Sequence, residues 1–145
     1  MRWISAAALA AVLAVMASGC GDKCNDETPP VRANGLPTCP SMAAGVPVTV
    51  QLGVCPRCDQ GSPRCEVRLE NVGSGAIQLE PLSEVCEASS SCPIVDPASC
   101  PLTPLTCAFT TPGVGNYQLV VVEPSGTPRQ VPFTVAATGS NSCTL

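Results

Sequence analysis

The sequence predicts an all-β protein, a disulfide-stapled antiparallel sandwich of about six or seven strands, and three observations carry that prediction. Six stretches alternate apolar with polar residues at a period of two: Val46–Val54, Cys65–Leu69, Ile77–Leu79, Leu105–Phe109, Tyr117–Val121 and Val131–Val135. Such a period puts every second side chain on one buried face. Glycine and proline, 12 and 16 of the 145 residues, punctuate the chain between these stretches, and no helical period persists beyond a turn or two. The third observation is the 11 cysteines, which stand beside no histidine and only 12 % charged residues. That balance is foreign to a reduced cytosolic enzyme and natural to an exported, oxidised domain.

The elements follow in order from the amino end. The terminal amine and Arg2 make a short positive end, Ile4–Met16 is an uncharged apolar run, and Ala17, Ser18 and Gly19 are small. This is the layout of a signal peptide, residues 1–19. The run falls short of the ~20 apolar residues that a membrane-spanning helix requires.

Small residues immediately before Cys20 resemble the lipobox of bacterial lipoproteins. The resemblance implies that the Cys20 thiol receives a diacylglyceryl group and that residues 1–19 are removed, leaving a palmitate-type anchor in a cell-envelope membrane. Two acyl chains, at about 0.8 kcal/mol per buried methylene, suffice for stable attachment. Gly21 stands where the inner-membrane retention signal of enteric bacteria has Asp, so the resemblance further implies the outer membrane.

Setting Cys20 aside leaves Cys24, Cys39, Cys55, Cys58, Cys65, Cys86, Cys92, Cys100, Cys107 and Cys143. Their number is even, so up to five disulfides can close them, with the connectivity left open. About 126 residues follow the signal, enough for one domain with its own core but not comfortably for two. Aromatics are scarce there, only Phe109, Tyr117 and Phe133. The core must therefore be built from Val, Leu and Ile, with disulfides adding about 2–4 kcal/mol each.

Residues 20–44 are polar, carry four prolines and show no sustained period, so they read as a lipidated tether. The sandwich is expected over 45–138, with 139–145 as a C-terminal tail. Pro47 and Pro132 fall inside the first and last strand patterns. Proline cannot donate a ladder hydrogen bond, so both places should be sheet edges or interruptions. The run Gly115-Asn-Tyr117-Gln-Leu119 resembles the corner before the penultimate strand of immunoglobulin-like domains. By that resemblance the domain is an immunoglobulin-like sandwich, and the Tyr117 hydroxyl bonds backbone upstream and pins the corner.

Candidate chemistry is sparse. Cys55-Pro-Arg-Cys58 has the spacing of a thiol-disulfide redox pair, but Asp59-Gln-Gly-Ser-Pro63 follows it, a turn rather than the helix of such motifs. A stapled hairpin tip is expected instead, with Cys55 or Cys58 bonded to Cys65. A zinc site on Cys55, Cys58 and Cys65 lacks a second cysteine pair and any histidine. The Cys-rich insertion 81–104, with Cys86, Cys92 and Cys100, is the expected binding surface. Glu80, Glu84 and Glu87 read as one side of a short helical turn, solvated rather than a calcium site.

Without histidine no Ser-His or Cys-His nucleophile pair can be assembled, so no catalytic residue, cofactor or metal is expected. Arg57, Arg64 and Arg68 are offset by Asp59, Glu66 and Glu70 and the net charge is −4, which argues against a nucleic-acid partner. The expectation is therefore a non-catalytic binding or structural module of the envelope, held to the membrane through Cys20, with an envelope protein or glycan as partner. The alternative is an extracytoplasmic thiol-disulfide oxidoreductase using Cys55 and Cys58.

Overall fold

The computed structural model describes residues 24–32, 39–69, 73, 75–86, 92–93, 95–96 and 98–145. The expected signal segment, Cys20 and Glu87 lie outside the described residues. The strands are β1 (Asn25–Glu27), β2 (Val31–Arg32), β3 (Met42–Ala43), β4 (Pro47–Val54), β5 (Arg64–Arg68), β6 (Ala76–Val85), β7 (Thr103–Thr110), β8 (Gly115–Val121), β9 (Arg129–Ala136) and β10 (Ser142–Thr144). Among the described residues no helix is long and apolar enough to cross a membrane.

All six expected strands are present, and their alternation does what the period demands except at Leu69, which lies beyond the end of β5 and is exposed. Val48, Val50, Leu52 and Val54 of β4 face Leu105, Cys107 and Phe109 of β7 along one inner surface, while Ile77, Leu79, Leu119, Val121, Val131, Phe133 and Val135 line the other. The two surfaces form one core, rich in Val, Leu and Ile as the shortage of rings requires. Full burial of each such side chain contributes about 1.5–3 kcal/mol.

One sheet runs β1-β6-β8-β9-β3, with β5 on the remaining edge of β6; the other runs β10-β4-β2, with β7 beside β4. Most pairs are antiparallel, as expected, and three are not. The pairs β6–β8, β3–β9 and β10–β4 are parallel. After β6 the chain crosses to the opposite sheet as β7 and returns as β8, so β6 and β8 run in the same direction. Side-chain alternation has a period of two in either pairing, and so carries no information about direction.

Pro47 opens β4, opposite Thr110. Pro132 pairs with Gln118, whose own N–H donates to the Gly75 carbonyl on the far side of β8. Their pair is therefore a non-hydrogen-bonded one, and the Pro132 nitrogen faces the free edge of β9, where a missing donor costs nothing.

The segments expected as a tether and a tail are corrected too. β1 pairs with the end of β6, β2 with the end of β4, and β3 with β9. β10 lies beside β4, and Cys143 and Leu145 are buried. Gly139 permits the closing approach: a Cβ there would lie 2.6 Å from the Met42 carbonyl carbon. The insertion is also shorter than 81–104, because β6 extends to Val85 and β7 begins at Thr103. Glu80 and Glu84 accordingly sit on a strand and not on a helical turn.

Candidate functional site

Five disulfides take all ten cysteines after Cys20: Cys24–Cys86, Cys39–Cys143, Cys55–Cys100, Cys58–Cys92 and Cys65–Cys107. The expected staple from Cys55 or Cys58 to Cys65 is overturned. Cys65 lies on β5, the sheet edge that abuts β7, and it bonds across to Cys107 with 5.2 Å between Cα atoms. The sheets are latched along that edge. Cys55 and Cys58 each bond to the connection between β6 and β7 and not to one another, and the three thiols considered for zinc belong to three different disulfides.

The same two bonds build one wall of a cleft. β4 ends at Val54, and the Cys55 N–H donates to the Pro30 carbonyl at 2.8 Å. The chain then turns: the Gln60 N–H donates to the Arg57 carbonyl, and the Gln60 side-chain oxygen accepts from the Arg57 N–H at 2.8 Å. The Gly61 N–H donates to the Glu84 carbonyl at 2.8 Å, which ties this turn to β6.

From the turn Arg57 makes a forked contact with Asp59, Nε to Oδ1 at 3.0 Å and Nη2 to Oδ2 at 3.3 Å. Its Nη1 reaches Glu27 Oε2 at 3.0 Å. The hydrogen bond to Asp59, with both carboxylates nearby, raises the Arg57 pKa further above its ordinary value. Arg57 is therefore a fixed cation joining the turn to β1.

The opposite wall is the β8–β9 turn. Its Gly126 N–H donates to the Glu123 carbonyl at 3.0 Å, and Gly126 adopts φ 78°, a conformation that favours glycine. Arg129 pairs with Glu123 and donates to the Val31 carbonyl at 3.2 Å. Between the walls lies a cleft of about 530 Å³, within the ~300–1,000 Å³ range of small-ligand sites. Glu27, Arg57, Gln60 and Glu123 offer hydrogen-bonding groups there, and Pro30, Pro124 and Val95 offer apolar surface. Such a lining can hold an extended polar segment. Val95 is the one part of the expected binding insertion, among its described residues, that lines it.

At the other end of the sandwich the Tyr117 hydroxyl donates to the Gly113 carbonyl at 2.8 Å, the contact that the corner resemblance implies. The ring stacks on Phe133, centroids 5.6 Å apart. It also folds over Gly115, where a Cβ would sit 3.2 Å from the ring. The Gly-x-Tyr spacing thus has a local steric cause.

Sequence reasoning singled out Arg57 and Asp59 as a local charge balance, and the structure joins them. It missed Glu27, Pro30, Glu123 and Pro124, which belong to no motif. The Pro124-Ser-Gly126 turn signal was the available clue for that wall. Cys24, Glu84 and Cys86 bring three donor groups together, but the two sulfurs are joined to each other, which leaves a single carboxylate for any ion. No protein-family model, curated protein or solved structure matches this chain.

Proposed function

We propose that this chain is an exported lipoprotein of the bacterial envelope, attached through a lipid on Cys20 and placed in the outer membrane, and that it acts as a non-catalytic binding module. Five disulfides of long sequence separation fit a domain that matures outside the cytoplasm. They use ten of the eleven cysteines, and the eleventh is the lipobox residue. That remainder is the observation that carries the anchor.

The binding role rests on the cleft between the 55–61 turn and the β8–β9 turn. Its charges are already committed to ion pairs, so it offers shape and hydrogen bonds rather than a reactive group. An extended segment of an envelope protein suits this lining; a glycan would have no aromatic platform among the lining residues. The redox alternative gains nothing from the pairing, since Cys55 and Cys58 are bonded to different partners.

Mass spectrometry of the mature amino terminus tests the anchor. A diacylglyceryl-modified Cys20 is expected, and an unmodified Cys20 or cleavage elsewhere sinks it. A photo-crosslinking residue at Gln60 tests the site: an envelope adduct is expected that disappears in Arg57→Ala, and an adduct pattern identical to that of a probe at Thr106 on β7 would remove the cleft from consideration.

A further inference from the structure

The cleft and the start of the described chain lie at one end of the sandwich. β6 ends there at Val85, β1 begins there opposite it, β4 ends there at Val54, and the turn after it bonds back to Glu84. Cys24 is fixed at this end four times over. Its disulfide to Cys86, the β1–β6 ladder, the Asp26–Arg64 ion pair and the Glu27–Arg57 ion pair all act within three residues of it. Slack in the chain therefore stops at residue 24.

Cys20 is four residues before Cys24. At ~3.3–3.6 Å per residue the fully extended chain between them spans at most ~14 Å, and the headgroup layer of a leaflet takes up ~5–8 Å of that. Resting on the proposed lipidation of Cys20, we infer that the domain stands directly on the bilayer with its cleft end against the lipid headgroup surface.

Covalent length imposes this contact, not attraction. The same end carries Asp26, Glu27, Asp59, Glu66, Glu84 and Glu123 against Arg32, Arg57, Arg64 and Arg129, a small excess of carboxylates that an anionic leaflet does not draw in. The domain without its lipid accordingly leaves vesicles of phosphatidylethanolamine and phosphatidylglycerol unbound. The Tyr117 corner is the distal end, ~26 Å further out along the eight-residue β9. A ligand of the cleft then has to be reachable at the membrane surface.

The test uses the full-length lipidated protein in those vesicles, with a fluorescent non-natural residue at exposed Ser62 beside the cleft or at exposed Val114 near the corner, and an acceptor on the lipid headgroups. Energy transfer from Ser62 is expected to be at least about threefold stronger than from Val114, given their ~26 Å difference in height. Inserting twenty Gly/Ser residues between Lys23 and Cys24, which adds ~25 Å of reach, is expected to bring the Ser62 signal down to that of Val114. Equal transfer from the two sites with Cys20 shown to be acylated overturns this inference alone. A Ser62 signal that survives the insertion also overturns it, by making the contact one of attraction. An unmodified Cys20 overturns the anchor and this orientation together.

Discussion

Replacing both Cys39 and Cys143 by alanine removes the link that holds the carboxyl end of the chain to the segment before β4. Their separation is 104 residues, but in the oxidised protein a shorter path already exists. It runs from Cys39 to Cys55, across the disulfide to Cys100, and on to Cys143. That closes a loop of about 59 residues, for which the lost denatured-state entropy corresponds to about 4.3 kcal/mol at 25 °C. Cys143 is only 3 % exposed, and deleting its sulfur adds roughly 1 kcal/mol for the lost packing. Cys58–Cys92 provides the comparison, because its path through Cys55–Cys100 closes only about 11 residues, or about 2.8 kcal/mol. Unfolding of a domain this size changes its midpoint by roughly 4 °C per kcal/mol. Non-reducing thermal unfolding followed by circular dichroism should therefore show a drop of about 20 °C for the first double variant and about 11 °C for the second. Equal drops, or the reverse order, would refute the network path as the source of the stabilisation.

Gly139→Ala forces a Cβ against the backbone of Ser41–Ala43, and overpacking of that kind costs about 1–3 kcal/mol. Gly113→Ala has nothing within 4 Å and should stay within about 0.5 kcal/mol of the parent in urea unfolding; similar losses for the two would contradict the close crossing at Gly139. Tyr117→Phe removes the hydroxyl bonded to Gly113 and should cost about 1 kcal/mol, while leaving the ring contact with Phe133 intact. The Asp26 carboxyl is held below the usual carboxylate range, first by its hydrogen bond from Arg64 and also by the charge of that guanidinium. Its contribution to folding is therefore present above the unfolded value near ~3.9 and lost as pH falls through the lower folded value. A carbon-13 titration should show the Asp26 midpoint rising in Arg64→Gln, and an unmoved midpoint would exclude the pair in solution.

The long strands were legible because a single rule governs them. Val48, Val50, Leu52 and Val54, or Val131, Phe133 and Val135, must point inward together once one of them does. The short strands obey no such rule. Asn25–Glu27 has no apolar alternation at all, and it is a strand because Cys86 and the end of β6 hold it. A polar, proline-broken stretch reads as a tether whenever its partners lie some sixty residues away in the chain. The cleft was obscure for the same reason. Arg57 and Asp59 are visible as neighbours, but Glu27 and Glu123 come from segments nearly a hundred residues apart, and it is the pairing of β1 and β8 with the same strand β6 that brings them to one site.

The pairing of Cys65 shows why the local expectation failed and what the failure implies. A staple between Cys55 or Cys58 and Cys65 would stay within the turn between β4 and β5, whereas Cys65 lies on β5 against β7 and bonds to Cys107 there. The disulfides present have separations of 34 to 104 residues, and each joins segments far apart in the chain. Two of the five bonds tie the segment before β4, at Cys24 and Cys39, to β6 and β10. Those bonds replace the expected tether with a clamped edge. A chain clamped at Cys24 leaves three residues between the sandwich and Cys20, so the disulfides that secure the fold also fix which end of it an anchor on Cys20 would hold against a membrane.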